Sequence, residues 1–215
     1  MPSQTRINKG TLILITGKTG VGRTRFITHC TGEYASINNS LDPAGQVIEC
    51  FPVPNVKHSS LPVILVDIPG FDHSDQMSLS DYQIFDKIKD WLANSCHKRV
   101  LVAGIVYLHD LTEDRPGEMQ ALGILSRSVP TGHLMLATTK PSHKNLSDEE
   151  YNRRHNLLLE VGLWKEVIDK GAQVRNLNLQ ARLLPTQSAL PWFKFRVKSL
   201  DFRLSFTWVP AGSRQ

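Results

Sequence analysis

The feature that most constrains this chain is an apolar run that leads directly into a glycine-rich turn. Residues 11–16 read Thr-Leu-Ile-Leu-Ile-Thr, and residues 17–24 read Gly-Lys-Thr-Gly-Val-Gly-Arg-Thr. An apolar run of this length suits a strand that is buried on both faces of a sheet. Glycines allow a tight turn, and a helix is predicted from Thr24 to about Gly32. The pattern therefore predicts a strand, a turn and a helix in that order.

The spacing within the turn is that of a phosphate-binding P-loop, G-x-x-x-x-G-K-[ST], with Arg23 in the lysine position. Backbone N–H groups and a helix N-terminus favour anionic oxygens there, although an ordinary strand–helix turn is the alternative interpretation. A planar guanidinium differs from a compact ammonium, and Lys18 could supply additional charge. The Thr24 hydroxyl is placed to bind Mg²⁺. The predicted nucleotide-binding residues of this segment are Gly17, Lys18, Thr19, Gly20, Val21, Gly22, Arg23, Thr24 and Arg25.

A second motif follows another apolar run, 43 residues beyond Thr24. Residues 61–66 read Leu-Pro-Val-Ile-Leu-Val, and Asp67-Ile-Pro-Gly70 forms D-x-P-G, a variant of the D-x-x-G switch of GTPases. An aspartate at a strand end can hold Mg²⁺ from the side opposite Thr24, so Asp67 is the second predicted metal ligand. The backbone N–H of Gly70 is predicted to contact the γ-phosphate.

These motifs, with residues 104–109, Arg115, residues 137–140 and residues 163–172, resemble the septin-like and immunity-associated (GIMAP-type) branch of the translation-factor-related GTPases. Within that branch they are most similar to the predicted G-domain proteins abundant in mushroom-forming fungi. The resemblance covers roughly residues 10–173. It implies an α/β P-loop NTPase G domain, with a mostly parallel sheet flanked by helices. It also implies GTP with Mg²⁺ as cofactor, and a homodimer that forms across the nucleotide.

Guanine recognition is predicted at the end of the fifth strand. GTPases of this class use [NT]-K-x-D there, so Thr139 and Lys140 are predicted to bind nucleotide through the resemblance. Ser142 stands in the aspartate position, and a neutral hydroxyl cannot reproduce the charged bidentate contact with guanine. The base preference is therefore expected to be weaker than in an intact motif.

Hydrolysis has weaker support in the sequence, and no catalytic residue is assigned. Phe71 follows Gly70 where Ras-like enzymes have a water-orienting glutamine. Asp72, His73 and Gln76 could position water, although a solvated loop explains them more simply, and a salt bridge explains Arg115 better than a charge-stabilising finger. Residues 36–45 lack the usual switch threonine and offer only Ser40. Three functions stay open: a slow GTPase switch, a pseudo-GTPase interaction module, and a partition-type P-loop ATPase that uses Lys18.

Composition bounds the protein class. The chain has 215 residues, 40% hydrophobic and 21% charged, which suits one globular domain. Three cysteines without metal-ligand spacing, and no signal-peptide core, lead to an expected cytoplasmic location. Residues 1–150 carry 14 basic and 16 acidic side chains, whereas residues 151–215 carry 11 basic and 4 acidic ones. No nucleic-acid partner is therefore expected for the body of the domain.

The chain is predicted to divide at residue 173 into a G domain, residues 1–173, and an atypical basic and aromatic tail, residues 174–215. Aromatic and aliphatic residues alternate with polar ones over 193–208, and a period of two favours strands. Three interpretations stay open for this tail. It could contact an acidic membrane surface or a partner, pack on the body as edge strands, or result from an altered splice or reading frame.

Periodicity gives a coarse map of the remaining elements. Predicted strands cover residues 11–16, 46–53, 61–67, 99–108 and 133–138, and predicted helices cover residues 24–32, 80–93, 117–128 and 147–161. Residues 46–53 and 61–67 are predicted to pair as an antiparallel hairpin. Ser147 and Glu150 form a capping box. Parallel crossovers would bring Gly17, Asp67 and Thr139 to one edge of the sheet.

Overall fold

The computed structural model describes residues 7–32, 48–58, 60–71, 80–95, 100–112, 120–139 and 146–177. Within these ranges, six strands form one sheet: β1 (Gly10–Gly17), β2 (Glu49–His58), β3 (Leu61–Asp67), β4 (Val100–Asp110), β5 (Leu134–Thr139) and β6 (Gln173–Leu177). The α-helices of the same ranges are α1 (Arg23–Thr31), α2 (Asp81–Ser95), α3 (Gln120–Ser128), α4 (Asp148–Glu160) and α5 (Gly162–Asp169). A short 3₁₀ turn, Thr131–His133, precedes β5.

The sheet has the strand order β2-β3-β1-β4-β5-β6. The four neighbouring pairs from β3 to β6 are parallel, and β2 alone runs antiparallel to its neighbour β3. Parallel strands need helical crossovers that cover both faces of a sheet, which explains why β1 and β5 are buried along their whole length. The predicted α/β architecture with a mostly parallel sheet is confirmed.

Successive residues of the strands point to opposite faces, so the core has two parts. Leu12 and Leu14 of β1 belong to the larger cluster, which also contains buried residues of α2, α3, α4 and α5. Ile13 and Ile15 belong to the smaller cluster, which contains buried residues of α1 and β2. The predicted apolar stripe of α2 lies in the larger cluster: Ile84, Ile88 and Leu92 are buried, and Trp91 is partly buried against them.

The hairpin of β2 and β3 is confirmed, but its connection is shorter than predicted. Residues 54–58 belong to β2, which ends at His58 instead of Val53. The register shifts between Pro52 and Lys57, so an irregularity lies inside the strand rather than after it. Because β2 is at the edge of the described sheet, Pro52 and Pro54 are tolerated there despite lacking an N–H group.

The start of α4 confirms half of the predicted capping box. The backbone N–H of Glu150 donates a 3.1 Å hydrogen bond to the Ser147 hydroxyl. The Glu150 carboxylate does not return to the N-cap; it accepts hydrogen bonds of 2.6 to 2.7 Å from Arg153 and Arg154. Two arginines on the same helix thus compete successfully for this carboxylate.

The C-terminal part of the described chain is β6, which pairs with β5 and crosses the division predicted at residue 173. The alternating segment 193–208 lies outside the described residues, so the three interpretations of the tail stay predictions. No helix within the described ranges is long and apolar enough to cross a membrane.

Candidate nucleotide-binding site

The carboxyl ends of the parallel strands meet at one edge of the sheet. Ile15 lies beside Asp67, Gly17 lies beside Leu108, and Asp110 lies beside Thr139. The glycine-rich turn, the D-x-P-G segment and the end of β5 therefore converge, as the sequence predicted. This edge is where ligands bind in open α/β sheets.

Gly17 joins the glycine-rich turn to the D-x-P-G segment. Its carbonyl accepts a 3.1 Å hydrogen bond from the backbone N–H of Phe71 and another of 3.1 Å from Nη1 of Arg23. Only glycine fits here, because a Cβ would overlap the carbonyl oxygen of Leu108 and the φ of 145° disfavours a side chain. The bond from Phe71 thereby joins the two motifs at Gly17.

The N-terminus of α1 has the electrostatic character of an anion site. Gly22 is the N-cap and supplies no side-chain hydrogen bond, and the first turn contains no acidic residue. Instead, Arg23 and Arg25 add positive charge to the positive end of the helix dipole. By contrast, α4 begins with Ser147 as a cap and three acidic residues. The P-loop helix is thus complementary to phosphate groups.

The guanidinium of Arg23 lies against the aspartate of the second motif. Its Nε is 3.1 Å from Oδ1 of Asp67, and each side chain is 19% exposed. Nevertheless, neither atom makes a hydrogen bond among the described residues, so the two groups are close but poorly aligned. Burial raises the pKa of Asp67; the Arg23 charge opposes that rise, and the Glu49 charge adds to it. Burial also lowers the pKa of Arg23.

The absence of a side chain at Gly70 leaves the space that the Arg23 guanidinium occupies. A Cβ at Gly70 would overlap Nη1 of Arg23 and lie 2.8 Å from Oγ1 of Thr19. Arg23 therefore contacts three residues that the sequence predicted to bind nucleotide or metal: Gly17, Asp67 and Gly70. The guanidinium lies at their junction.

The arrangement does not fit Mg²⁺ at Asp67. The Thr24 hydroxyl and the Asp67 carboxylate are the oxygen ligands that this ion prefers, at about 2.0 to 2.1 Å. However, Asp67 Oδ1 already lies beside the Arg23 guanidinium. A divalent ion about 4 Å from that charge would be repelled by about 8 kcal/mol at an effective dielectric constant of about 20. Mg²⁺ could use Asp67 only after Arg23 moved away.

Thr139, the last residue of β5, contacts the P-loop through its hydroxyl. Its side chain is 1% exposed, and its hydroxyl donates to the Val21 carbonyl at 3.0 Å while lying 3.3 Å from the His109 carbonyl. These contacts join the end of β5 to the P-loop and to the end of β4. The predicted contact of Thr139 with nucleotide stays a prediction.

Several residues singled out in the sequence lie outside the described ranges, so their predicted roles stay predictions. They are Ser40, Asp72, His73, Gln76, Arg115, Lys140 and Ser142.

Sequence reasoning missed two residues that shape the site. Phe71 was judged only by its inability to orient water, yet it is fully buried in the larger core cluster and anchors the D-x-P-G segment. His109, near the end of β4, lies edge-on to Trp164 with ring centroids 5.6 Å apart. Burial lowers the pKa of His109 to about 4, although Asp110 opposes this and Lys18 adds to it. An apolar residue after D-x-P-G was the available signal for Phe71.

No protein-family model and no curated protein matches the sequence. Solved structures do match. A structure of the chloroplast translocon components atToc33 and psToc159, whose dimerisation is described as important for GTPase activity, has a TM-score of 0.62 at 17% identity, over 93% of this chain and 85% of that one. The structure of Toc33 from Arabidopsis thaliana with Mg²⁺ and GMPPNP has a TM-score of 0.55 at 19% identity, over 89% of this chain and 83% of that one.

Era from Aquifex aeolicus, bound to GDP and AlF4⁻, gives a TM-score of 0.55 at 15% identity, over 93% of this chain and 58% of that one. Identities this low establish the fold and nothing finer. The six-stranded sheet, the P-loop between β1 and α1 and these neighbours agree with one another: the chain has the α/β fold of the P-loop GTPase G domains.

Proposed function

We propose that this protein binds GTP, with the polyphosphate held on the P-loop between β1 and α1, and acts as a slow GTPase switch. The observation that carries the proposal is the start of α1, which has no acidic residue or side-chain cap and contains Arg23 and Arg25. A bound polyphosphate would accept hydrogen bonds at the N-terminal end of the helix, where the helix dipole and the two arginines attract negative charge. The G-domain fold of the structural neighbours supports GTP as the nucleotide.

Slow hydrolysis is proposed because of Phe71. Its side chain is fully buried and its N–H group is hydrogen-bonded to Gly17, so it cannot orient an attacking water. The septin-like and GIMAP-type branch, its fungal G-domain proteins and a homodimer across the nucleotide belong to this proposal through the resemblance in sequence. Dimerisation is described for the chloroplast translocon proteins, which supports looking for it here.

Mg²⁺ enters the proposal as a competitor of Arg23 for Asp67. The Toc33 neighbours were crystallised with Mg²⁺ and a guanine nucleotide, which supports the ion as a partner of this fold. In this chain, Thr24 and Asp67 would hold it, and the ion would neutralise phosphate charge there. Arg23 would first have to release Asp67.

A pseudo-GTPase that serves as a protein-interaction module is the second candidate. The observation that favours it is the same contact of Arg23 with Asp67, because the guanidinium lies where the outer phosphate and its cation are expected. In that case the ion pair would be a structural replacement for the ligand.

Titration of the purified chain with fluorescent GTP and ATP analogues separates these candidates. Preference for GTP supports the proposal, preference for ATP supports a partition-type ATPase, and the absence of binding to either supports the pseudo-GTPase. The Ser142→Asp variant should raise the affinity ratio of GTP to ATP by about tenfold, since it restores a charged acceptor for guanine. An unchanged ratio would place the base elsewhere.

A further inference from the structure

The position of the Arg23 side chain bears on which form of the nucleotide the site accepts. Arg23 is the first residue of α1 and directly follows the N-cap Gly22. Its side chain reaches back to the first residue of the glycine-rich turn. Nη1 donates to the Gly17 carbonyl at 3.1 Å, and Nε lies 3.1 Å from Asp67 Oδ1. The positive charge is therefore fixed at the aspartate that the D-x-P-G motif offers to a cation.

Most donors of this guanidinium are available for a ligand. An arginine has five N–H donors, and among the described residues only the bond to Gly17 meets hydrogen-bond geometry. Nε is buried 3.1 Å from Asp67 Oδ1, so the donors that remain for a ligand are the other N–H groups of Nη1 and Nη2. A planar fork with free donors matches two phosphate oxygens, which a lysine ammonium does not.

Gly70 and Gly17 hold the guanidinium in this place. The absence of a side chain at Gly70 allows Nη1 to lie against its Cα, and the Gly17 carbonyl is itself fixed by the N–H of Phe71. Arg23 therefore bridges the two motifs with a permanent charge, a role that the divalent ion is expected to have between Thr24 and Asp67.

We propose that Arg23 takes the place of the divalent cation at Asp67, so that this site accepts a nucleoside triphosphate free of bound Mg²⁺. The inference rests on the proposed function, because it concerns the same site. The guanidinium pairs with Asp67 through one edge and with phosphate oxygens through its remaining N–H groups. Mg²⁺ and Arg23 are then mutually exclusive at Asp67, and magnesium does not strengthen binding.

The test compares the dissociation constant of a fluorescent GTP analogue in millimolar Mg²⁺ with that in excess EDTA, using the full chain. Binding that Mg²⁺ tightens by less than about threefold supports the inference. Tightening beyond that overturns it, while leaving the proposed function in place. No binding in either buffer overturns both, so the two failures are distinguishable.

The Arg23→Lys variant tests whether Arg23 is the cause. A compact ammonium releases Asp67, so Mg²⁺ should now tighten binding by about tenfold. The variant should bind the GTP analogue more tightly than the natural chain only in the buffer that contains Mg²⁺. Affinity that stays independent of Mg²⁺ in a variant with native circular dichroism overturns the inference. If this variant does not fold, the comparison of the two buffers with the natural chain decides alone.

Discussion

The Thr139 hydroxyl donates a 3.0 Å hydrogen bond to the Val21 carbonyl and so joins the end of β5 to the P-loop across 118 residues of sequence. Both side chains are buried, with Thr139 at 1% and Val21 at 2% exposure. A buried hydroxyl is costly unless it is paired, so this bond constrains where the loop can lie. The conformation of the P-loop therefore depends on a residue from the opposite end of the domain.

Replacing Thr139 with valine should destabilise the fold by about 1 to 2 kcal/mol, because the Val21 carbonyl loses its buried donor while the side-chain volume is kept. The affinity for the fluorescent GTP analogue should also fall. Urea denaturation and titration measure the two effects.

Thr16 supplies the matched control for that variant. It is fully buried one residue before the P-loop, and its hydroxyl has no partner among the described residues. Valine at position 16 removes an unpaired polar atom, so Thr16→Val should leave the free energy of unfolding unchanged or raise it. Equal losses in both variants would contradict a specific role for the bond between Thr139 and Val21.

Features that depend on a local sequence pattern can be predicted from the sequence, whereas contacts between segments that are distant in the sequence cannot. The apolar runs, the glycine spacing and D-x-P-G predicted the sheet edge at Gly17 and Asp67, because each motif has a local physical cause. The contact of Arg23 with Asp67 could not be predicted, since it depends on the direction of one side chain and on the space at Gly70. The role of Thr139 depends likewise on the placement of Val21, which only the fold determines.

Alanine at Gly17 should be far more damaging than alanine at Gly20. At Gly17 a Cβ would overlap the Leu108 carbonyl oxygen, so β4 must shift, and the loss should exceed about 3 kcal/mol. At Gly20 the space is open and only the φ of 85° opposes a side chain, which costs about 1 to 2 kcal/mol. Thermal unfolding of the two variants measures the difference, and similar melting temperatures would contradict the close contact between β1 and β4.

The N-cap of α4 gives a prediction that is independent of the ligand. Ser147→Ala removes the acceptor for the Glu150 N–H and should cost about 1 kcal/mol. Ser147→Asp keeps an acceptor and should unfold at nearly the same urea concentration as the natural chain. If the alanine variant is equally stable, the cap does not contribute to the stability of the helix.

Acid should weaken the fold in two separate steps, the first of which involves His109. Burial holds the pKa of His109 at about 4, below its ordinary value of 6.5. A histidine with a lowered pKa in the folded state stays neutral there, while the unfolded chain takes up a proton below pH 6.5. Because only the unfolded chain takes up this proton, the free energy of unfolding falls as the pH is lowered from 6.5 to about 4. Above pH 6.5 His109 has no such effect. His155, whose pKa burial also lowers, contributes in the same direction.

The second step involves Glu150, whose pKa is lowered to about 2 by hydrogen bonds from Arg153 and Arg154. A carboxylate with a lowered pKa stabilises the fold above its ordinary value of 4.5, and this contribution is lost between pH 4.5 and about 2. The two windows can be separated because they overlap only between about pH 4 and pH 4.5.

The His109→Phe variant tests the first window, since phenylalanine keeps a ring against Trp164 but takes up no proton. Its free energy of unfolding should fall less than that of the natural chain between pH 6.5 and 4, by about 1 to 3 kcal/mol. The Glu150→Gln variant should follow the natural chain above pH 4.5 apart from a constant offset and diverge only below it. Urea denaturation at a series of pH values measures both, and parallel curves for His109→Phe and the natural chain down to pH 4 would show that His109 does not stay neutral in the fold.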